Sequence, residues 1–176
     1  MQRRGMTALE VLIVVALLSV LSTLALLGAR PVTRRYRLRD SLELAVQYAT
    51  EAQTRARTSR RCHRVVAFSG GALAPPGVAG DELVVQARPT ADCEAAPGGV
   101  AWVDLQRERL PGEVTAFNFD DATWTWAELR PNGRVRANAS PTAALRLSVP
   151  DNDGLVLVSA TGRVCLTSLA APGPCP

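Results

Sequence analysis

Three patterns of apolar and polar positions follow one another along the chain. The first is an apolar run from Val11 to Leu27, and between Met6 and Leu27 the only charge is Glu10. As a helix, residues 6–27 would be roughly 33 Å long, close to the hydrocarbon thickness of a bilayer. A lone carboxylate at that depth costs about 2.5–3.5 kcal/mol on insertion scales, so Glu10 calls for a functional reason. The second pattern starts past Gly28 and Pro31, where a kink or local melting is expected, because proline removes a backbone donor and crowds the preceding turn. Beyond it Leu38, Leu42, Ala45, Ala49, Ala52 and Ala56 recur at steps of three and four, one face of an amphipathic helix. Tyr36, Val46 and Tyr48 are expected to widen that stripe, and its small alanines would let the helix lie close against a sheet. The helix should stop near Thr58-Ser59-Arg60-Arg61, where the basic cluster from Arg55 to Arg64 suits a C-terminal dipole.

From Cys62 onward the pattern changes to short β-like runs separated by Gly and Pro. Strands are expected over 62–68, 82–88, 100–105, 114–119, 124–130, 134–137, 144–149, 155–159 and 163–166. Phe117 and Phe119 alternate, as do Trp124 and Trp126, so each pair should point to one face of its strand. Pro131-Asn132-Gly133 and Thr161-Gly162 are the evident hairpin turns. The stretches 69–80 and 89–99 read as loops. No repeat, low-complexity tract or interdomain linker appears.

Ahead of the apolar run stands a short basic leader, Gln2-Arg3-Arg4, then Gly5, Met6-Thr7-Ala8-Leu9 and Glu10. A removable secretory signal has a shorter apolar core and a small-x-small exit, which Leu26-Leu27-Gly28-Ala29 supplies poorly. An ordinary signal anchor accounts for the run but not for Gly5 and Glu10. The coincidence of leader length, glycine, glutamate at the fifth position after it and uninterrupted helix resembles a type IV prepilin. That resemblance implies cleavage by a membrane prepilin peptidase between Gly5 and Met6, N-methylation of Met6, and an assembly contact between Glu10 and the N-terminal amine of a neighbouring subunit.

The C-terminal half narrows the resemblance. Leu129-Arg130-Pro131-Asn132-Gly133-Arg134-Val135, followed by Ala160-Thr161-Gly162-Arg163-Val164, is similar to the paired Gly-Arg turns in the β-rich head of GspH/FimT (FimU) minor pilins and pseudopilins. Leu129 stands where those proteins commonly carry Phe. The implied fold is α+β, the type IV pilin fold, with a long N-terminal helix packed on an antiparallel, sandwich-like β-sheet head. The expected organisation is a cleaved leader (1–5), a transmembrane and filament-core helix (6–29), its amphipathic extension (30–61) and a periplasmic head (62–176).

At 176 residues the chain has room for one helical anchor and one domain. Its twenty basic residues are all arginine, which a GC-rich genome explains without invoking function. Cys62, Cys93, Cys165 and Cys175 all follow the apolar run, at spacings that match no zinc site. An even count there fits disulfides in an oxidising compartment. Of the three pairings, the sequence-local one, Cys62–Cys93 with Cys165–Cys175, is expected. Charge opposes this topology: Arg30, Arg34, Arg35, Arg37 and Arg39 follow the run, against Arg3 and Arg4 before it, and a simple positive-inside count would keep the head in the cytoplasm. The cysteines and the prepilin pattern outweigh that count, and the basic cluster is free to sit against anionic lipid or a neighbouring subunit.

Enzyme chemistry finds little footing. His63 is the single histidine, and Phe68-Ser69-Gly70-Gly71 lacks the leading glycine of a nucleophile elbow. At a helix-to-strand junction His63 is expected to be solvent-facing or structural. Asp120-Asp121 reads as a turn, and Asp151-Asn152-Asp153-Gly154 as a turn after Pro150 rather than half a calcium loop, since the bidentate Glu is missing. Asn138-Ala139-Ser140 is discounted as a glycosylation site in a chain that reads as bacterial. No catalytic residue, metal or cofactor is expected. Nucleic acid is the more serious rival, because some FimT-like pilins take up DNA. Arg130, Arg134, Arg136 and Arg146 fall on neighbouring expected strands and would suit phosphates. A solvated outer face interleaved with Leu129, Val135 and Leu145 is the preferred reading. The expected partners are other pilins or pseudopilins, the inner-membrane assembly platform, the prepilin peptidase and the membrane itself. The expected location is the bacterial inner membrane, then a pilus or pseudopilus, at its tip.

Overall fold

The computed structural model describes residues 8–68, 81–89, 93, 101–118, 125–136 and 142–167. Gly5, Met6 and Cys175 lie outside them, as do Asp120-Asp121, the Asn138 triplet, Phe119, Trp124 and most of the two expected loops.

One helix, α1 (Ala8–Ser59), takes up the first third of the chain. It runs through Gly28 and Pro31 without interruption, so the local melting expected there does not occur. Beyond Ser59 the chain leaves the helix at Arg60, a non-glycine residue with φ of 54°. Among the described residues nine strands follow: β1 (His63–Phe68), β2 (Glu82–Ala87), β3 (Val103–Arg109), β4 (Thr115–Asn118), β5 (Thr125–Leu129), β6 (Val135–Arg136), β7 (Thr142–Val149), β8 (Asn152–Ser159) and β9 (Val164–Thr167). They form two antiparallel sheets, ordered β3-β2-β1-β5-β6 and β4-β7-β8-β9.

The C-terminal half of α1 closes one core shared with both sheets. Leu38, Ala45, Tyr48, Ala49, Ala52 and Ala56 are buried against Val65, Leu83, Val85 and Leu129 of the larger sheet and Leu145, Leu147, Val156 and Val158 of the smaller. Alanine suits this seam because a helix presenting only methyl groups can approach the strands closely while the strands supply the bulk. Tyr36 breaks the expected pattern. It is 62% exposed, two residues before the buried Leu38 and so on the opposite side of the helix from the core. The two sheets are tied at Asp81, whose carbonyl accepts from the Leu110 amide at 2.9 Å while its carboxylate accepts from the Ala116 amide at 2.6 Å.

Two other details depart from the sequence pattern. The strand expected at 100–105 sits three to four residues later, at Val103–Arg109. The turn expected over Asp151–Gly154 is a tight one at Pro150-Asp151, with φ of 73° at Asp151, and Asn152 to Gly154 already belong to β8. Gly154 is inside a strand because Leu42 of α1 lies directly on it, leaving no space for a Cβ. A β-bulge between Val65 and Val66 on β1, opposite β5, makes Trp126 the extra residue. Trp126 is thereby turned into the core, where it is the largest fully buried side chain among the described residues.

Candidate functional site

Among the described residues the N-terminal half of α1 has no packing partner. Every described side chain from Ala8 to Thr23 is exposed, including Leu9, Leu12, Ile13, Leu17, Leu18 and Leu21. The helix is long and apolar enough to cross a membrane. Its few hydroxyls are satisfied within it: Ser19 donates to the Ala16 carbonyl at 2.7 Å and Thr23 to the Ser19 carbonyl at 2.8 Å. Polar groups bonded to their own helix cost little in an apolar medium, where water cannot replace a missing partner. Glu10 lies in the first turn and shares a helix stripe with Val14, Leu17 and Leu21, at steps of four and three. A carboxylate there is embedded in a surface otherwise made of aliphatic side chains.

The disulfide Cys62–Cys93 is formed, with Cα atoms 5.6 Å apart. Strand alternation puts Cys62 on the same face of the larger sheet as Arg64, Val66 and Phe68, away from the helix. Cys93 is therefore held over that outer face. Cys165 is disulfide-bonded as well.

The outer face carries a polar network that sequence reading missed. The Arg64 Nε donates to Gln86 Oε1 at 2.6 Å, and Gln86 Nε2 donates to Asp104 Oδ1 at 2.6 Å. Arg107 then bridges Asp104 at 2.8 Å and Glu82 at 3.1 Å. Burial pushes the Asp104 carboxyl up, but the bonds from Arg107 and Gln86 outweigh it and leave its pKa below the ordinary value. Trp102 stacks with two guanidiniums, 4.2 Å from that of Arg64 and 5.0 Å from that of Arg88. Apart from Asp104 and Arg107, three positions apart on β3, the partners lie 14 to 38 positions apart in sequence and meet only through strand register, so no local spacing announced them.

The four arginines singled out in the sequence are divided between the two sheets. Glu128 pairs in register with Arg136 and Leu129 with Val135, so alternation puts Arg130, Arg134 and Arg136 on the face opposite the core. Arg146 sits on β7 in the other sheet, where its guanidinium grips Asp153 with bonds of 2.7 and 3.3 Å.

The two Gly-Arg turns have a structural task. Gly133 and Gly162 have φ of 80° and 84°, and a Cβ on either would strike Arg57 or Gln53 at the end of α1. The Val135 amide donates to the Ala160 carbonyl at 3.1 Å, joining the turns to each other. Together they clasp the last turns of the helix. His63 is buried beside them rather than solvent-facing; its Nδ1 lies 3.1 Å from the Arg61 carbonyl, and burial lowers its pKa.

A long, half-naked helix laid on an antiparallel β head is the type IV pilin fold. The chain overlays the type IV minor pilin FimU of Pseudomonas aeruginosa with a TM-score of 0.54 at 17% identity, covering 81% of this chain and 97% of that one. A second crystal form of FimU gives a TM-score of 0.51 at 16% identity, covering 78% and 98%. The minor pseudopilin EpsH of the Vibrio cholerae type 2 secretion system gives 0.49 at 12% identity, covering 78% and 99%. At such identities the likeness is one of fold. Neither a protein-family profile nor a curated protein sequence matches the chain.

Proposed function

We propose that the chain is a minor pilin or pseudopilin, a structural subunit without chemistry of its own that works by assembly. The observation that carries this reading is the division of α1 into a half that forms the core of the head and a half exposed on every side. An aliphatic surface of that extent must be covered by lipid, by other helices, or by each in turn. In the inner membrane, with the head in the periplasm, lipid covers it. After extraction by the assembly platform, the helices of other pilins do. Prepilin peptidase cuts between Gly5 and Met6, Met6 is N-methylated, and Glu10 meets the amine of a neighbouring subunit. The amine exists only after cleavage, which couples processing to assembly. A β-rich head suits a place in an initiating or tip complex, of a type IV pilus first and of a type II secretion pseudopilus second.

One experiment addresses both ends of this scheme. The intact mass of the native protein should lack Met1–Gly5 and carry one extra methyl group, and Gly5→Leu should retain the leader. Glu10→Ala should be cleaved normally yet stay in the inner membrane and fail to join the filament. A mature mass that still includes Met1–Gly5 would end the prepilin reading. Incorporation of Glu10→Ala at the native level, beside normal cleavage, would remove the amine contact and leave Glu10 only complementing the positive N-terminal end of the helix dipole.

A second reading has one observation in its favour: Arg130, Arg134 and Arg136 share a face, and Arg134 and Arg136 are exposed. If that face binds DNA, retention should fall steeply with salt. No retention at low salt leaves the assembly role alone.

A further inference from the structure

Where α1 passes from its exposed half to its packed half, it carries Arg30, Arg34, Arg35, Arg37 and Arg39 within ten residues. Arg30, Arg34 and Arg37, at steps of four and three, lie on one face of the helix. With Ala29, Thr33 and Glu113 they line an open cleft of about 510 Å³ between the helix and the base of the head. Glu113, from the turn between β3 and β4, lies 3.6 Å from Arg34 and 3.4 Å from Arg37. One carboxylate thus serves two guanidiniums, and among the described residues no acid pairs with Arg30. The cleft holds a formal surplus of two positive charges. On the other side of the same turns, Val32 and Tyr36 are exposed at 52% and 62%. An aliphatic and an aromatic side chain exposed one turn apart, level with a ring of arginines, make the residue set of a bilayer interface.

We propose that this cleft binds the phosphate headgroup of an anionic phospholipid, with Arg30, Arg34 and Arg37 as donors and Glu113 as the internal competitor. The inference rests on the membrane-anchored reading above. The cleft begins two residues beyond the apolar run, which sets it at headgroup height, and guanidiniums bind phosphate oxygens two at a time. It also accounts for arginines on the far side of the span that a positive-inside count cannot explain. Glu113 holds Arg34 and Arg37 against the head until a phosphate replaces it, so the lipid would bear on the angle between head and membrane.

The full-length protein, purified in mild detergent with mixed phosphatidylglycerol and phosphatidylcholine, tests this by native mass spectrometry of the lipids it retains. Phosphatidylglycerol should be retained in preference. Each arginine changed to glutamine should cut that preference about fivefold, the equivalent of ~1 kcal/mol per basic residue near an anionic surface. Glu113→Gln should raise it, a gain that a misfolded variant cannot produce. Equal retention of the two lipids, or an unchanged preference in the Arg30→Gln, Arg34→Gln, Arg37→Gln triple variant, would overturn the proposal. Displacement of the lipid by inorganic phosphate at equal concentration would overturn the lipid assignment and leave a free-phosphate site. Resistance of the native protein to alkaline extraction from membranes tests the anchor separately, so failure of the lipid site and failure of the anchor are distinguishable.

Discussion

The two halves of α1 invert the usual relation between hydrophobicity and burial. From Ala8 to Thr23 the helix is almost purely aliphatic and wholly exposed, whereas from Leu38 to Ala56 it is rich in Arg, Glu, Gln and Thr and supplies one wall of the core. The buried half contributes mainly alanine methyls, and the sheets contribute the large side chains. A close helix-to-sheet seam needs small residues on the helix, while nothing in the head limits the size of side chains on the exposed half. Apolar content alone would have placed the core in the wrong half. Periodicity places it in the right one.

The comparison predicts that stability is sensitive in one half and indifferent in the other, as read from denaturant unfolding of the full-length protein in detergent. The largest effect should come where the packed half gives way to β1. The bridge Cys62–Cys93 closes a loop of 31 residues, so the Cys62→Ser, Cys93→Ser variant should lose roughly 3–4 kcal/mol in the chain-entropy account. A midpoint shift equivalent to less than ~1 kcal/mol would mean that the reduced chain keeps the loop closed by other contacts. Ala49→Leu comes next, at about 1–3 kcal/mol, because the seam has no room for an isobutyl group; an unchanged midpoint would show the seam to be slack. Gly154→Ala should cost about 1 kcal/mol, at the low end for overpacking, since Leu42 is only half-buried and can turn aside.

His63 should give a slope rather than a step. Burial holds its pKa below the ordinary 6.5, so the ring is neutral in the fold while the unfolded chain takes up a proton at higher pH. The stability this contributes is complete above pH 6.5 and is lost as pH falls from there toward the depressed folded value. His63→Gln should flatten that part of the profile, and an identical slope in the variant would assign it to other groups. Leu17→Ala closes the series. In detergent it should change head stability by less than ~0.5 kcal/mol, as expected of an exposed site, even where it impairs filament assembly. A larger loss would mean that the exposed half contributes to folding after all.

Much of this architecture was legible before the fold was known, and the lapses have physical causes. Nine strands in order, the end of the helix near Ser59 and the alanine face all follow from periodicity and turn residues. Strand β3 was misplaced because Asp104-Leu105-Gln106-Arg107-Glu108-Arg109 forms an edge strand exposed along nearly its whole length, so no apolar alternation marks it. Asp151-Asn152-Asp153-Gly154 reads as a turn because its residues favour one; only contact with Leu42 shows why a glycine stands within a strand. Tyr36 does not belong to the stripe: it stands two residues before Leu38, on nearly the opposite side of the helix, so it faces away from the head. The clasp of the Gly133 and Gly162 turns around Arg57 and Gln53 was recognisable as a recurring motif and opaque as to purpose, because its partners lie on another element. The Arg64–Asp104–Arg107 network and Glu113 beneath the head left no motif in the sequence at all, because most of their partners lie on other elements.

The unbroken course of α1 through Gly28 and Pro31 has a mechanical consequence. Fifty-two residues of continuous helix measure roughly 78 Å along its course, with the head packed on the C-terminal part only. A tug on the exposed half is delivered along the axis, and the head then resists in shear, with the whole alanine seam loaded at once instead of opening turn by turn. The Gly133 and Gly162 clasp and the Cys62–Cys93 staple stand at the C-terminal end of α1, where a sliding helix would first have to pull free.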